Sequence, residues 1–299
     1  SYNAKTGTYD YYENKKLAKD GEDKKAPSFA NVILQNCTFT QYDKNVVFTG
    51  SWPACTAYCG DLDITGYRMP VSYLREMVFG LRKKPYLCVE DPSHFSQEAK
   101  TTPWAIPEAV ESWTWPKYEG KPVRVRAFAC GEEAVLFLNG KKIDAKKIRN
   151  YTAEFELIYE PGILEVSCRG NDGKEYRKSL KTAGPTRRLS VLPSASCLGD
   201  SPENLIYIEI EVHDEEGILC MDREYEITVE LSENIEILGF GSGRPVLTGK
   251  YQDLRQETYH GRLLAVVRGK PGAEKAGEIE ASFICRDLNC TEIIRFERG

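Results

Sequence analysis

The stretch Lys121–Gly140, KPVRVRAFACGEEAVLFLNG, decides the fold. Val123, Val125, Ala127 and Ala129 alternate with Arg124, Arg126 and Phe128, the period of a strand with one face buried. Val135 to Leu138 runs into Asn139-Gly140, a strong hairpin signal because both residues tolerate the left-handed backbone of a two-residue turn. Further along, Phe155 and Leu157 alternate with Glu154 and Glu156, Pro161-Gly162 turns the chain, and Ile163 to Cys168 follows. Asn171-Asp172-Gly173 makes another turn. Strands recurring about every 8–12 residues point to a β-sandwich.

Thr182-Ala183-Gly184-Pro185-Thr186 reads as a linker, since Gly-Pro interrupts both regular structures. Beyond it Tyr207, Glu209 and Glu211 alternate with Ile206, Ile208, Ile210 and Val212. Further strand-like runs lie at Tyr225–Leu231, Ile235–Leu238, Leu263–Val267, Glu278–Cys285 and Thr291–Phe296. This second sandwich has the size of an immunoglobulin-like domain, roughly 100 residues. Upstream, Pro70 suits a first helical position, and Val71, Leu74, Met77, Val78 and Leu81 follow at helical spacing, predicting a helix over 70–81. Residues 31–49 suggest a hairpin, and the polar, tyrosine-rich residues 1–30 read as a loop. The expected class is mainly β: two tandem immunoglobulin-like β-sandwich domains at 93–184 and 185–299, preceded by a small α+β segment at 1–92.

With 40 basic and 45 acidic residues the net charge is −5, which argues against nucleic acid or an anionic membrane surface as partner. No apolar run approaches the roughly 18 residues of a spanning helix. The ten cysteines are scattered through a large chain, mostly inside strand-like runs. They read as buried free thiols rather than a disulfide framework, which implies a cytoplasmic location. Neither Cys55-x3-Cys59 nor Cys285-x4-Cys290 has a second pair or histidines at zinc spacing, so no metal and no cofactor is expected.

Four features bear on chemistry. Asp61-Leu62-Asp63-Ile64-Thr65 has the Asp-x-Asp-x-Thr pattern of an aspartyl-phosphate nucleophile, but the βα sheet that motif needs is missing around it. The bland reading is aspartates accepting from loop amides. Gly239–Gly243, GFGSG, resembles a phosphate loop but no helix follows, so glycines serving a tight inter-strand turn are preferred. Trp104, Trp113, Trp115 and Tyr118 form an aromatic cluster. Such rings stack on sugar C–H faces or cement domains together, and the second use is the commoner one. His94, His213 and His260 have no nucleophile near them in sequence, and no catalytic residue is assigned.

Taken together these stretches resemble the C-terminal half of bacterial glycoside hydrolase family 2 enzymes, the β-galactosidase and β-glucuronidase group. The resemblance is carried by residues 57–80, AYCGDLDITGYRMPVSYLREMVFG, and by Glu111-Ser112-Trp113-Thr114-Trp115-Pro116 with Tyr118-Glu119-Gly120. It continues through 133–140, Tyr159-Glu160-Pro161-Gly162, Lys181-Thr182-Ala183-Gly184, Gly239–Gly243 and Tyr259–Arg268, and so covers roughly 50–299. It implies a parent enzyme hydrolysing O-glycosidic bonds of a β-linked glycan with two glutamates on a (β/α)8 barrel. In the family the acid/base glutamate follows an asparagine, and this chain has no Asn-Glu dipeptide. A barrel takes about 250 residues and cannot fit beside two sandwiches. The resemblance therefore implies the tail of a barrel followed by two accessory domains, inactive alone. The missing barrel would be the partner, facing an exposed apolar stripe on the helix. A stand-alone carbohydrate-binding module using Trp104, Trp113 and Trp115, or a purely structural tandem, are the alternatives.

Overall fold

The computed structural model describes residues 60–96, 108–199, 201, 203–245, 249–270 and 279–298, with the backbone of five short strands elsewhere. Residues 1–37 and 38–299 form two units. In the first, strands Tyr2–Asn3, Thr8–Glu13 and Lys16–Lys19 make an antiparallel sheet where a loop was expected. Tyrosine is a strong strand former, and Thr8–Glu13 carries three of them. The expected hairpin over 31–49 lies largely outside the described residues, as do Trp52 and Trp104.

Two β-sandwiches dominate the second unit. One sheet of the first runs in the order Lys141–Lys147, Glu133–Leu138, Ile163–Arg169, Glu175–Lys181; the other runs Thr152–Ile158, Pro122–Phe128, Tyr86–Glu90, Ala109–Val110. The alternation in 123–129 is realised directly: Val123, Val125 and Ala127 are fully buried between the sheets with Leu136, Phe155 and Val166. Asn139 and Gly140 both take positive φ, 52° and 78°, as a two-residue turn between antiparallel strands requires. The Asn139 side chain then grips the next turn, donating to Pro161 O (3.1 Å) and accepting from Ile163 N (2.8 Å). A Cβ on Gly162 would sit 1.8 Å from Asn139 Oδ1, so only glycine fits there. The edge strand Lys141–Lys147 carries four lysines, a charge density that discourages edge-to-edge pairing with another chain.

The expected domain start at 93 cuts through this sandwich. Strand Tyr86–Glu90 pairs with Pro122–Phe128 and is buried along its whole length. Leu87 and Val89 face the sandwich core, while Tyr86 and Cys88 face outward onto the helix. Being buried on both faces, YLCVE shows no alternation, which is why its place in the sheet is not visible from pattern alone.

The helix spans Pro70–Val78, with Pro70 in its first turn as expected. It ends three residues before the predicted limit. Gly80 (φ 69°) donates to Met77 O (3.1 Å) and Leu81 N to Glu76 O (2.8 Å), a Schellman closure. Its apolar stripe is not left bare for a missing barrel. Met77 is 1% exposed and packs with Tyr86, Cys88, Ala109 and Phe128, and Tyr73 stacks on Tyr86 (3.9 Å between centroids, 9°). The expected barrel remnant is therefore not evident, because the helix covers the outer face of the first sandwich. Only Val78, Phe79 and Leu81, at and beyond its end, stand exposed.

The second sandwich pairs Arg188–Pro193, Ile206–His213, Arg262–Gly269 and Ile235–Gly241 in one sheet. The other holds Cys197–Leu198, Cys290–Arg298, Ile279–Cys285, Glu226–Leu231 and Arg255–Glu257. Its core includes Ile208, Ile210, Val212, Leu263, Ala265 and Phe283, all fully buried. The linker between the sandwiches is tied at both ends. Thr182 Oγ1 donates to Trp113 O (2.7 Å), Ala183 N donates to Thr114 Oγ1 (2.9 Å), and Gly184 N donates to Asp214 Oδ2 (2.8 Å).

Trp113 anchors this joint. It is fully buried, meets Tyr159 edge-on (4.8 Å), and donates from Nε1 to Glu160 O (3.0 Å). Truncating a ring so placed costs about 3–5 kcal/mol. Trp113→Ala is therefore expected to destabilise the chain by about that much in urea unfolding, whereas Trp115→Ala, half-buried, should cost about 1 kcal/mol. Equal costs would contradict the anchoring role.

Candidate functional site

Of the candidate aromatic cluster, the described members lie in or against the core of the first sandwich, the domain-cementing use. Trp113 has no exposed face, and its role is to fasten the first sandwich. Trp115 and Tyr118 are half-buried, meet edge-on at 6.5 Å, and lie against the same core. Trp104 lies outside the described residues.

The two motifs set aside in the sequence prove structural. Asp63 Oδ1 accepts from Thr65 N (2.8 Å), Thr65 Oγ1 (2.7 Å) and Tyr67 N (3.1 Å), closing a local turn. Asp61 pairs with Arg75 of the helix. The glycines of 239–243 serve close approach rather than a turn. Gly241 and Gly243 have no positive φ, but a Cβ would meet Tyr251 at 2.5 Å and Asp63 Oδ2 at 2.3 Å respectively. The second sandwich thereby comes hard against the turn that precedes the helix.

Where these parts meet they enclose a cavity of about 600 Å³, within the usual range of small-molecule sites. Its walls come from the 63–73 segment, Ala109–Glu111, strands Ile206–His213 and Arg262–Gly269, and the Tyr259-His260 turn. That turn is a two-residue hairpin closed by reciprocal Tyr259–Arg262 bonds of 3.1 Å, with His260 and Gly261 at φ 50° and 75°. The left-handed backbone aims the turn at the first sandwich. Tyr259 donates to the buried Glu108 (3.0 Å), and His260 Nε2 lies 3.8 Å from the same carboxylate. His260 Nε2 is buried without a hydrogen-bond partner among the described residues.

On the adjoining wall Arg262 donates to Glu211 (2.8 Å), and His213 Nε2 lies 3.2 Å from the other Glu211 oxygen. The His213 contact, opposed by burial and reinforced by Arg262, holds the Glu211 carboxyl below its ordinary value. Arg262 also lies over the Tyr67 ring (4.6 Å). Burial raises the Tyr67 phenol well above the usual range, and Glu211 and Glu209 push the same way. Glu209 itself faces the cavity with no ion-pair or hydrogen-bond partner among the described residues.

Sequence reading missed this constellation. Glu209 and Glu211 sit in an alternating strand and read as solvated, and Glu108 lies 151 residues from Tyr259. The available signal was local: Tyr259-His260-Gly261-Arg262 offers a small turn pair between strand-like runs. No group of three or more His, Cys, Asp or Glu side chains among the described residues is arranged to hold a metal ion. The seven described cysteines are all free, and burial raises Cys168 to about 11. No helix among the described residues is long and apolar enough to cross a membrane.

The depressed Glu211 carboxyl has a stability consequence of definite sign. Its contribution is complete above the ordinary carboxylate value of 4.5 and is lost as pH falls through the lower folded value. Urea midpoints should therefore fall on acidification below about pH 4.5 and fall less steeply in Glu211→Gln. An unchanged slope would contradict the pairing.

Comparison with known proteins follows the two sandwiches. Residues 189–293 match the family described as glycoside hydrolase family 2 C-terminal domain 5, and residues 120–177 match a domain of unknown function, DUF4982. A curated relative, the beta-galactosidase BoGH2A of Bacteroides ovatus, is 25% identical over 228 residues, covering 75% of this chain and 24% of its own. A solved glycosyl hydrolase family 2 member from Bacteroides cellulosilyticus is 26% identical with a TM-score of 0.71, covering 83% of this chain and 32% of its own. A beta-glycosidase from Bacteroides vulgatus, 18% identical, shares the fold with a TM-score of 0.62 over 82% of this chain and 29% of its own. This chain thus spans about a quarter to a third of the length of these relatives. The matches bear out the resemblance read from the sequence: residues 189–293 match a glycoside hydrolase family 2 C-terminal domain, and most of the chain is similar to the C-terminal region of enzymes of that family.

Proposed function

We propose that this chain is the non-catalytic C-terminal part of an enzyme hydrolysing O-glycosidic bonds, β-galactosidase-like in its substrate. Its partner is the N-terminal barrel of the same protein, and its two sandwiches buttress that barrel. One observation carries the reading: the residues for which the resemblance was recognised, Trp113-Thr114, Tyr159-Glu160 and Thr182-Ala183, interlock by hydrogen bonds into the joint between the sandwiches. They are construction, not chemistry. Retaining hydrolysis needs one carboxyl raised to act as an acid beside a second as nucleophile, roughly 5–5.5 Å away. Of the carboxylates lining the cavity, Glu211 is depressed and engaged by Arg262 and His213, and Glu111 is engaged by Lys178. Exposed Phe79 and Leu81, beyond the helix end, supply an apolar surface for a neighbouring domain. The unpaired cysteines support a cytoplasmic location as part of this reading.

The test is hydrolysis of chromogenic β-galactoside and β-glucuronide substrates by this chain and by the same chain extended upstream through its reading frame. Activity in the extended protein only, greater on the galactoside, is expected. Turnover by the 299 residues alone would overturn the non-catalytic assignment.

A further inference from the structure

We infer that the cavity between the two sandwiches is a binding site for a neutral saccharide. Its size suits a small ligand, and its lining is amphiphilic in the way a sugar ring is. Leu219, Met221 and Pro245 offer apolar surface, while Glu209, Glu211, Arg262 and His260 offer a rim of acceptors and donors. One of these polar groups is buried and unspent: His260 Nε2 has no hydrogen-bond partner among the described residues, while the Glu209 carboxylate is exposed and makes no ion pair among them. Buried polar atoms find partners, and vicinal hydroxyls supply a donor to the carboxylate and complement the ring nitrogen in either tautomer.

Charge selects among sugars. Asp63, Glu111, Glu209 and Glu211 line the cavity against two guanidiniums, Arg68 and Arg262. Arg68 is already paired with Glu76, and Arg262 with Glu211. Glu111 is likewise paired with Lys178, which leaves Glu209 as a carboxylate without a counter-ion among the described residues, so a uronic acid is disfavoured beside it and a neutral hexose or disaccharide accepted. The turn that presents His260 is held by Tyr259 on Glu108, so the ring is in place before any ligand arrives.

Isothermal titration of the 299-residue chain with lactose, cellobiose and glucuronic acid tests this; the choice of lactose rests on the proposed galactosidase-like parent. Lactose or cellobiose is expected to bind saturably with Kd of about 1 mM, and glucuronic acid at least about tenfold more weakly. Glu209→Gln should raise the saccharide Kd about tenfold and narrow the gap to glucuronic acid. His260→Asn keeps a residue that accepts the left-handed turn while withdrawing the ring, and should also weaken binding. Circular dichroism of both variants should match the parent chain. Absence of saturable heat from either neutral sugar, affinity unchanged in both variants, or binding of Ca²⁺ that excludes the sugar would each overturn the site. Glycosidase activity of the extended chain without saccharide binding here would overturn this site alone. Binding here without activity in the extended chain would overturn the enzymatic reading alone.

Discussion

Strand Tyr86–Glu90 is buried on both faces, and the arrangement of the second unit depends on it. On one side Leu87 and Val89 complete the core of the first sandwich; on the other Tyr86 and Cys88 receive the helix. Each fully buried apolar side chain of this size contributes about 1.5–3 kcal/mol, so the strand is committed to both neighbours at once. Its terminal Glu90 is also buried, and is tolerated because Arg126 (2.6 Å) and Arg124 (3.3 Å) both donate to it. Fixing the helix fixes the turn before it, where Asp63 holds Thr65 and Tyr67. That turn is one wall of the interdomain cavity.

The other walls follow from close approach rather than from flexible reach. Gly243 lets the second sandwich meet Asp63, and Gly241 lets Tyr251 lie on the strand. The linker is pinned to Trp113 and Thr114 on one side and to Asp214 on the other. Asp214 is 3% exposed; burial opposes its charge, but amide bonds from Gly184, Ile218 and Glu216 outweigh that and lower its carboxyl. The cavity is therefore a consequence of how the two domains are joined.

Much of this was legible in the sequence and some was not. The strands of 122–128, 133–138 and 152–158 followed from alternation because one face is core and the other carries Arg124, Arg126 and Glu154. The helix start followed from Pro70. The end was overrun because Val78 and Leu81 continue the apolar spacing while Gly80 terminates the backbone. Strand 86–90 and the docking of the helix were hidden because a doubly buried strand has no period. The tryptophan cluster was recognised as aromatic but its exposure was not readable, and Trp113 proved to be the joint itself. The cavity was least legible, since Tyr259 and His260 reach Glu108 only through the domain interface.

Native-state hydrogen exchange tests the central claim, that the helix is an integral layer on the first sandwich. Amides of the helix interior, from Leu74 to Phe79, should share the protection of Leu87 and Val89 and be released in the same unfolding event. Exchange of the helix amides at near-coil rates, with the sandwich strands still protected, would contradict it.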